Sequence, residues 1–210
     1  MIEKNADAAA TFLATVEEQL LTAVPASNRL PLQVFAQDES RLGLHTIRRR
    51  RITAKGVKPI GTVQHDYDNC WVYGCIAPTT GEHFFLLLPT LNTDQMQLFL
   101  DEFAKAHPTT FNLLVRDNSG AHTAKRLKVP TNVGLVFQPA ANPEVNPAER
   151  VWQDLKEQVA WLTFADLEAL ENELVERLCA YDAATLSRLT SYPYLVQAIH
   201  LIQAIHVVCS

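Results

Sequence analysis

Apolar positions in this chain follow two rhythms. From residue 6 to 24, Phe12, Leu13, Val16, Leu20 and Val24 recur every three or four residues and Pro25 stops the run, which predicts an amphipathic helix. Gln33 to Asp38 is short and apolar and follows Pro31, which predicts a first strand. Ile60–Gln64 and Cys70–Ile76 are expected to be two more strands, the second rich in aromatic and β-branched residues. Pro78-Thr79-Thr80-Gly81 reads as a turn from which His83–Leu88 pairs back as a hairpin. The helical rhythm returns over Asp94–Ala106, with Thr93 as its cap and Met96, Leu98, Phe99, Leu100 and Phe103 as its apolar face. Asn112–Asp117 and Val133–Phe137 read as strands, with a short helix over Ala121–Leu127 between them. Helical spacing then runs to the end, over Phe164–Tyr181 and a tail from Ala183.

Antiparallel strands followed by alternating helix and strand form an α/β pattern. A right-handed crossover through the Asp94–Ala106 helix lays the strand ending at Asp117 parallel to the strand ending at Asp38. The expected organisation is a linker helix over 1–30, one α/β domain over 31–182 and a helical tail over 183–210.

The stretch Asn142-Pro143-Glu144-Val145-Asn146-Pro147-Ala148-Glu149-Arg150-Val151-Trp152 carries the first chemical signal. Asn146 suits an N-cap, Pro147 the first helical position and Glu149 the third, the acidic partner of a capping box. Ala148, Val151, Trp152, Leu155, Val159 and Leu162 make one face of that helix apolar, and Glu149 lies at its margin. A carboxylate so placed either caps the helix or points into a cleft. Two further segments, Phe35-Ala36-Gln37-Asp38-Glu39-Ser40 and Val115-Arg116-Asp117-Asn118-Ser119-Gly120-Ala121-His122, each put an aspartate after an apolar run. Among the other acids, Glu39 alternates to the opposite strand face from Asp38, Glu144 lies in a Pro-flanked loop, and Asp66 and Asp68 lie in a turn.

Together these segments resemble the Asp-Asp-Glu (DDE) transposases of bacterial insertion sequences related to the mariner group. The matching details also include A-K-G-V-K-P from Ala54, P-T-T-G-E from Pro78, L-P-T-L-N-T from Leu88, D-N-x-x-x-H from Asp117 and N-P-x-E-x-x-W-x-x-L-K from Asn146. The resemblance covers roughly Leu32 to Leu178. It implies a ribonuclease H-like mixed sheet, antiparallel over strands 1–3 and then parallel, flanked by helices, with Asp38 and Asp117 side by side at strand ends. Glu149 supplies the third carboxylate. Three carboxylates in one cleft repel one another unless cations compensate, and all-oxygen ligation suits Mg2+ or Mn2+, two ions, better than zinc. The implied activity is hydrolysis of a phosphodiester at element ends, followed by attack of the freed 3′-hydroxyl on target DNA. Asn118 is expected to shape the turn after the strand or to orient Asp117 by a hydrogen bond, and His122 to contact a phosphate or a metal-bound water, or else to make only a structural hydrogen bond at a helix start. Trp152 is expected in the core. The family's helix-turn-helix modules would need about a hundred residues ahead of the first strand, where this chain has about thirty. The alternative is therefore a silent or regulatory remnant that works with a separate DNA-binding segment or an intact transposase. Expected partners are DNA and a second copy of the chain on DNA.

The net charge of −5 argues against nucleic acid until its distribution is considered. From Arg41 to His65 there is no acid, but there are seven bases: Arg41, Arg48, Arg49, Arg50, Arg51, Lys55 and Lys58. A local basic stretch holds a phosphate backbone even in an acidic chain, so Arg48–Arg51, Lys55 and Lys58 are the expected DNA contacts. Cys70, Cys75, Cys179 and Cys209 form no metal-binding pattern and are expected to be buried free thiols. No apolar run approaches the roughly 18 residues that span a bilayer, and the N-terminus lacks a signal layout. The expected location is the bacterial cytoplasm, at the nucleoid.

Overall fold

The computed structural model describes residues 6–50, 52–58, 60–117, 126–139 and 142–209. Among these residues five strands form one mixed sheet: β1 (Leu32–Gly43), β2 (Asn69–Ile76), β3 (His83–Leu88), β4 (Phe111–Asp117) and β5 (Val133–Gln138), in the spatial order β3-β2-β1-β4-β5. β1, β2 and β3 pair antiparallel; β1, β4 and β5 pair parallel, with α2 (Thr93–Ala106) as the crossover. The expected ribonuclease H-like mixed sheet is present.

Alternation along the strands sorts the sheet's two faces. Phe35, Tyr73, Cys75 and Leu114 pack against Met96, Phe99, Leu100 and Phe103 of α2. On the other face, Leu32, Val34, Leu113 and Val115 pack against α1 (Ala6–Thr22) and α6 (Pro193–Cys209). Ala36, Leu42, Val72 and Ile76 on that face meet α3 (Ala148–Gln158), α4 (Leu167–Cys179) and α5 (Ala183–Thr190). These apolar stripes bury at roughly 25 cal/mol per Å², so they hold the helices to the sheet.

Several elements differ from the sequence expectation. β1 runs five residues beyond Asp38, because β2 continues to pair with it as far as Gly43 opposite Asn69. Asp38 is therefore inside a strand, not at its end. Ile60–Gln64 is not a strand; it belongs to a long excursion between β1 and β2. Asn92, not Thr93, caps α2 by accepting from the Gln95 amide, and Asp166 caps α4 by accepting from Ala169. The Glu149 helix stops at Gln158, and Trp161 adopts φ 66°, which turns Leu162 outward to 37% exposure. Cys70 and Cys75 are buried free thiols, whereas Cys179 is free but exposed. The expected helix at Ala121–Leu127 lies largely outside the described residues. Among the described residues no helix is long and apolar enough to cross a membrane.

Candidate active site

Asp38 follows Leu32, Val34 and Ala36 on one strand face, and Asp117 follows Leu113 and Val115 on the same face. The β1–β4 register, with Ala36 opposite Val115, carries both aspartates to the same level of the sheet. Glu149 reaches that level from α3. Asn146 sets the start of this helix: its Oδ1 accepts from the Ala148 amide at 3.1 Å, and its Nδ2 donates to the Gln37 carbonyl at 3.1 Å. One side chain thus caps α3 and ties it to the residue before Asp38. Asp38, Asp117 and Glu149 line one small cavity of about 70 Å³ with Gln138, Pro139, Asn142 and Asn146.

Trp152, 1% exposed, lies over the sheet and donates from Nε1 to Asp38 Oδ2 at 3.0 Å. Gly74 sits directly opposite Asp38 on β2, and a Cβ there would come within 2.6 Å of the Trp152 ring. The glycine leaves room for the indole to reach the carboxylate. Trp152 is core, as expected, but it also orients Asp38.

The carboxyls feel one another. Burial pushes the Asp38 pKa well above the usual carboxylate range, and the charges of Glu39, Glu149 and Asp117 push it further. Burial also raises Glu149; Lys156 opposes that rise and Asp117 adds to it. Lys156 lies two turns after Glu149 on the same helix face. Burial lowers its pKa, Glu149 and Asp38 counteract that, and Arg49 adds to the lowering. Lys156 therefore feels both the attraction of the carboxylates and the repulsion of Arg49.

In that excursion Arg48, Arg49, Arg50, Lys55 and Lys58 are exposed; Arg51 lies outside the described residues. Its base is pinned: Trp161 donates from Nε1 to the Arg49 carbonyl at 3.1 Å, and Gln64 exchanges hydrogen bonds with the Phe164 backbone. The tip exposes Ile52, Val57 and Ile60. Asn118 and His122 lie outside the described residues. Glu144 is exposed and lines a neighbouring cleft with Glu149, Arg150, Gln153 and Tyr192. Asp66 and Asp68 are exposed, and neither lines the carboxylate cavity.

Among the described residues no three His, Cys, Asp or Glu side chains form a ready-made metal cluster. Among the described lining residues the donor set nonetheless fits a hard divalent cation: three carboxylates, with no thiol and no imidazole. Gln138, opposite Asp117 in the β4–β5 register, also lines the cavity, and among the described residues its buried amide Nε2, a hydrogen-bond donor, has no partner. An orphaned buried donor costs about 1–3 kcal/mol, so this cavity suits a polar occupant. From the sequence, no role attaches to Gln138, to the Trp152 bond or to Lys156, the last residue of the motif that starts at Asn146. Lys156 was findable from its spacing to Glu149; Gln138 and the indole bond depend on the tertiary arrangement.

The sequence profile described as DDE superfamily endonuclease matches residues 33–171. The uncharacterized protein y4pE/y4sA of Sinorhizobium fredii is 31% identical over 140 residues, 65% of this chain and 96% of that protein. The fold is similar to a pre-cleavage Mos1 transpososome, with TM-score 0.65 and 17% identity over 99% of this chain and 63% of that one. It is also similar to the Mos1 mariner paired end complex with Mn, with TM-score 0.63 and 17% identity over 90% of this chain and 60% of that one. The chain thus spans about three fifths of the length of these transposase chains. With the profile match covering well over half of its length, from β1 into α4, the chain belongs to the DDE superfamily endonucleases.

Proposed function

We propose that this chain is the catalytic domain of a metal-dependent DNA transposase, with Asp38, Asp117 and Glu149 as its catalytic carboxylates. The observation that carries the proposal is their convergence on one cavity from two strands and a helix. The residues would hold Mg2+ or Mn2+, two ions. Bound there, the ions would activate an attacking oxygen and stabilise the leaving oxygen of a phosphodiester. Trp152 holds one oxygen of Asp38 and so orients the other. Asn146 keeps Glu149 at the level of the aspartates. The cavity is too small for a nucleotide, so a DNA strand would lie across its mouth; Arg48, Arg49, Arg50, Lys55, Lys58 and Lys156, with Arg51 from the sequence, would contact its phosphates. Asn118 would orient Asp117 by a hydrogen bond, and His122 would contact a phosphate or a metal-bound water. Hydrolysis at an element end and strand transfer into target DNA then share one site, since both displace an oxygen from phosphorus. We further propose that the working form is a dimer on DNA.

The test is nicking of supercoiled DNA by the purified chain with Mn2+, beside Glu149→Gln, which keeps shape and removes charge. The proposal expects nicking by the wild type and its loss in the variant. A silent chain that only pairs with an intact transposase predicts no nicking by either protein, and equal nicking by both would refute Glu149 as a catalytic carboxylate.

A further inference from the structure

Directly behind the aspartates, on the α2 face of the sheet, lies a buried ion pair. The β1–β4 register ends at Ala36 opposite Val115. Beyond that point β1 stays paired with β2, and β4 stays paired with β5 as far as Asp117 opposite Gln138. The sheet therefore forks, with Asp38 on one prong and Asp117 on the other. The next residue on β1 is Glu39 and the preceding residue on β4 is Arg116, so alternation turns both to the α2 face. There Arg116 Nη2 lies 3.5 Å from Glu39 Oε1, with the side chains 1% and 5% exposed. Gln37 Nε2 donates to the same Glu39 oxygen at 2.7 Å, and Arg116 Nη1 contacts Met96 Sδ at 3.3 Å. Among the described residues, the buried Arg116 Nε has no hydrogen-bond partner. A pair held this way stabilises little on balance, because desolvating both charges offsets their attraction; what it does supply is a defined geometry.

We infer that the Glu39–Arg116 ion pair bridges the fork between β1 and β4 and sets the separation of Asp38 and Asp117. Glu39 and Arg116 are thus positioning residues for the cation site. The two aspartates repel across the fork on one face. The ion pair attracts across the same fork on the other face, one residue away on each strand, and opposes the splay. The inference rests on the metal-site reading above.

The test compares Mn2+ binding, by electron paramagnetic resonance of free ion, with metal-free melting temperature. Glu39→Gln and Arg116→Met each remove one charge of the buried pair and leave the other without it, and should melt well below wild type. The double variant Glu39→Gln/Arg116→Met removes both charges and should regain most of the melting temperature. Its Mn2+ affinity should stay reduced, by roughly tenfold or more, the usual cost of losing a group that orients metal ligands. A purely structural pair predicts the opposite, affinity recovering together with stability, and that result would overturn the inference alone. Wild type that bound no Mn2+ would overturn the metal-site reading and this inference with it. Arg116→Lys supplies the same comparison if the double variant does not fold: it keeps a cation, loses the planar reach and should bind Mn2+ several-fold more weakly, whereas wild-type affinity would count against the bridge.

Discussion

The raised pKa values of Asp38 and Glu149 make the site a source of metal-free instability. Folding raises both, so between the ordinary carboxylate range and the raised values the folded chain binds more protons than the unfolded chain. Metal-free stability therefore falls as pH rises through that window, and flattens once both groups are ionised in both states. Thermal melts across pH should show this slope, and Asp38→Asn should reduce it. Millimolar Mn2+ should raise the wild-type melting temperature at neutral pH by binding only the folded chain, and Asp38→Asn should lose much of that increment. A neutral-pH melt indifferent to Mn2+ would contradict this. Asp38→Asn and Asp117→Asn should abolish Mn2+-dependent nicking, whereas Glu144→Gln, on the outer side of Glu149, should nick within a few-fold of wild type.

Two contacts hold the geometry of the proposed carboxylate site between elements. Asn146 joins α3 to β1, and Asn146→Ala removes a cap and an inter-element bond; we expect a loss of about 1–2 kcal/mol in chemical denaturation. Trp152→Phe removes the indole donor to Asp38 and some core volume; we expect a loss of about 2 kcal/mol. Either variant at wild-type stability would show the contact to be dispensable. Much at this scale was legible in the sequence. The Asn146-Pro147 start, the apolar face of α3 and the crossover through α2 follow from local spacing and capping chemistry, which act within a few residues. The length of β1 was not legible, because pairing with β2 sustains it past Asp38 through polar residues. Ile60–Gln64 has strand-like composition but finds no sheet edge, so propensity lost to tertiary context. The end of α3 at Gln158 was equally hidden: the apolar spacing continues to Leu162, but the backbone turns left-handed at Trp161.

At the scale of the molecule, an acidic chain presents a pinned basic excursion beside an acidic cavity. Arg48, Arg49 and Arg50 offer phosphates charge but no base-reading element, so duplex binding should be micromolar or weaker near physiological salt and indifferent to sequence. Replacing all three by alanine should weaken binding to cognate and scrambled duplexes alike. Each lost phosphate contact should flatten the salt slope by roughly 0.9. Fluorescence anisotropy at several salt concentrations reads both effects, and tight cognate-selective binding would contradict the prediction. The central claim is that Asp38, Asp117 and Glu149 together hold divalent cations. Anomalous diffraction from crystals soaked in Mn2+ at neutral pH tests it most directly. Anomalous peaks bounded by these three carboxylates are expected, and are lost in Asp38→Asn crystals. No peak in that cavity at millimolar Mn2+, or a peak held by other side chains, would contradict it.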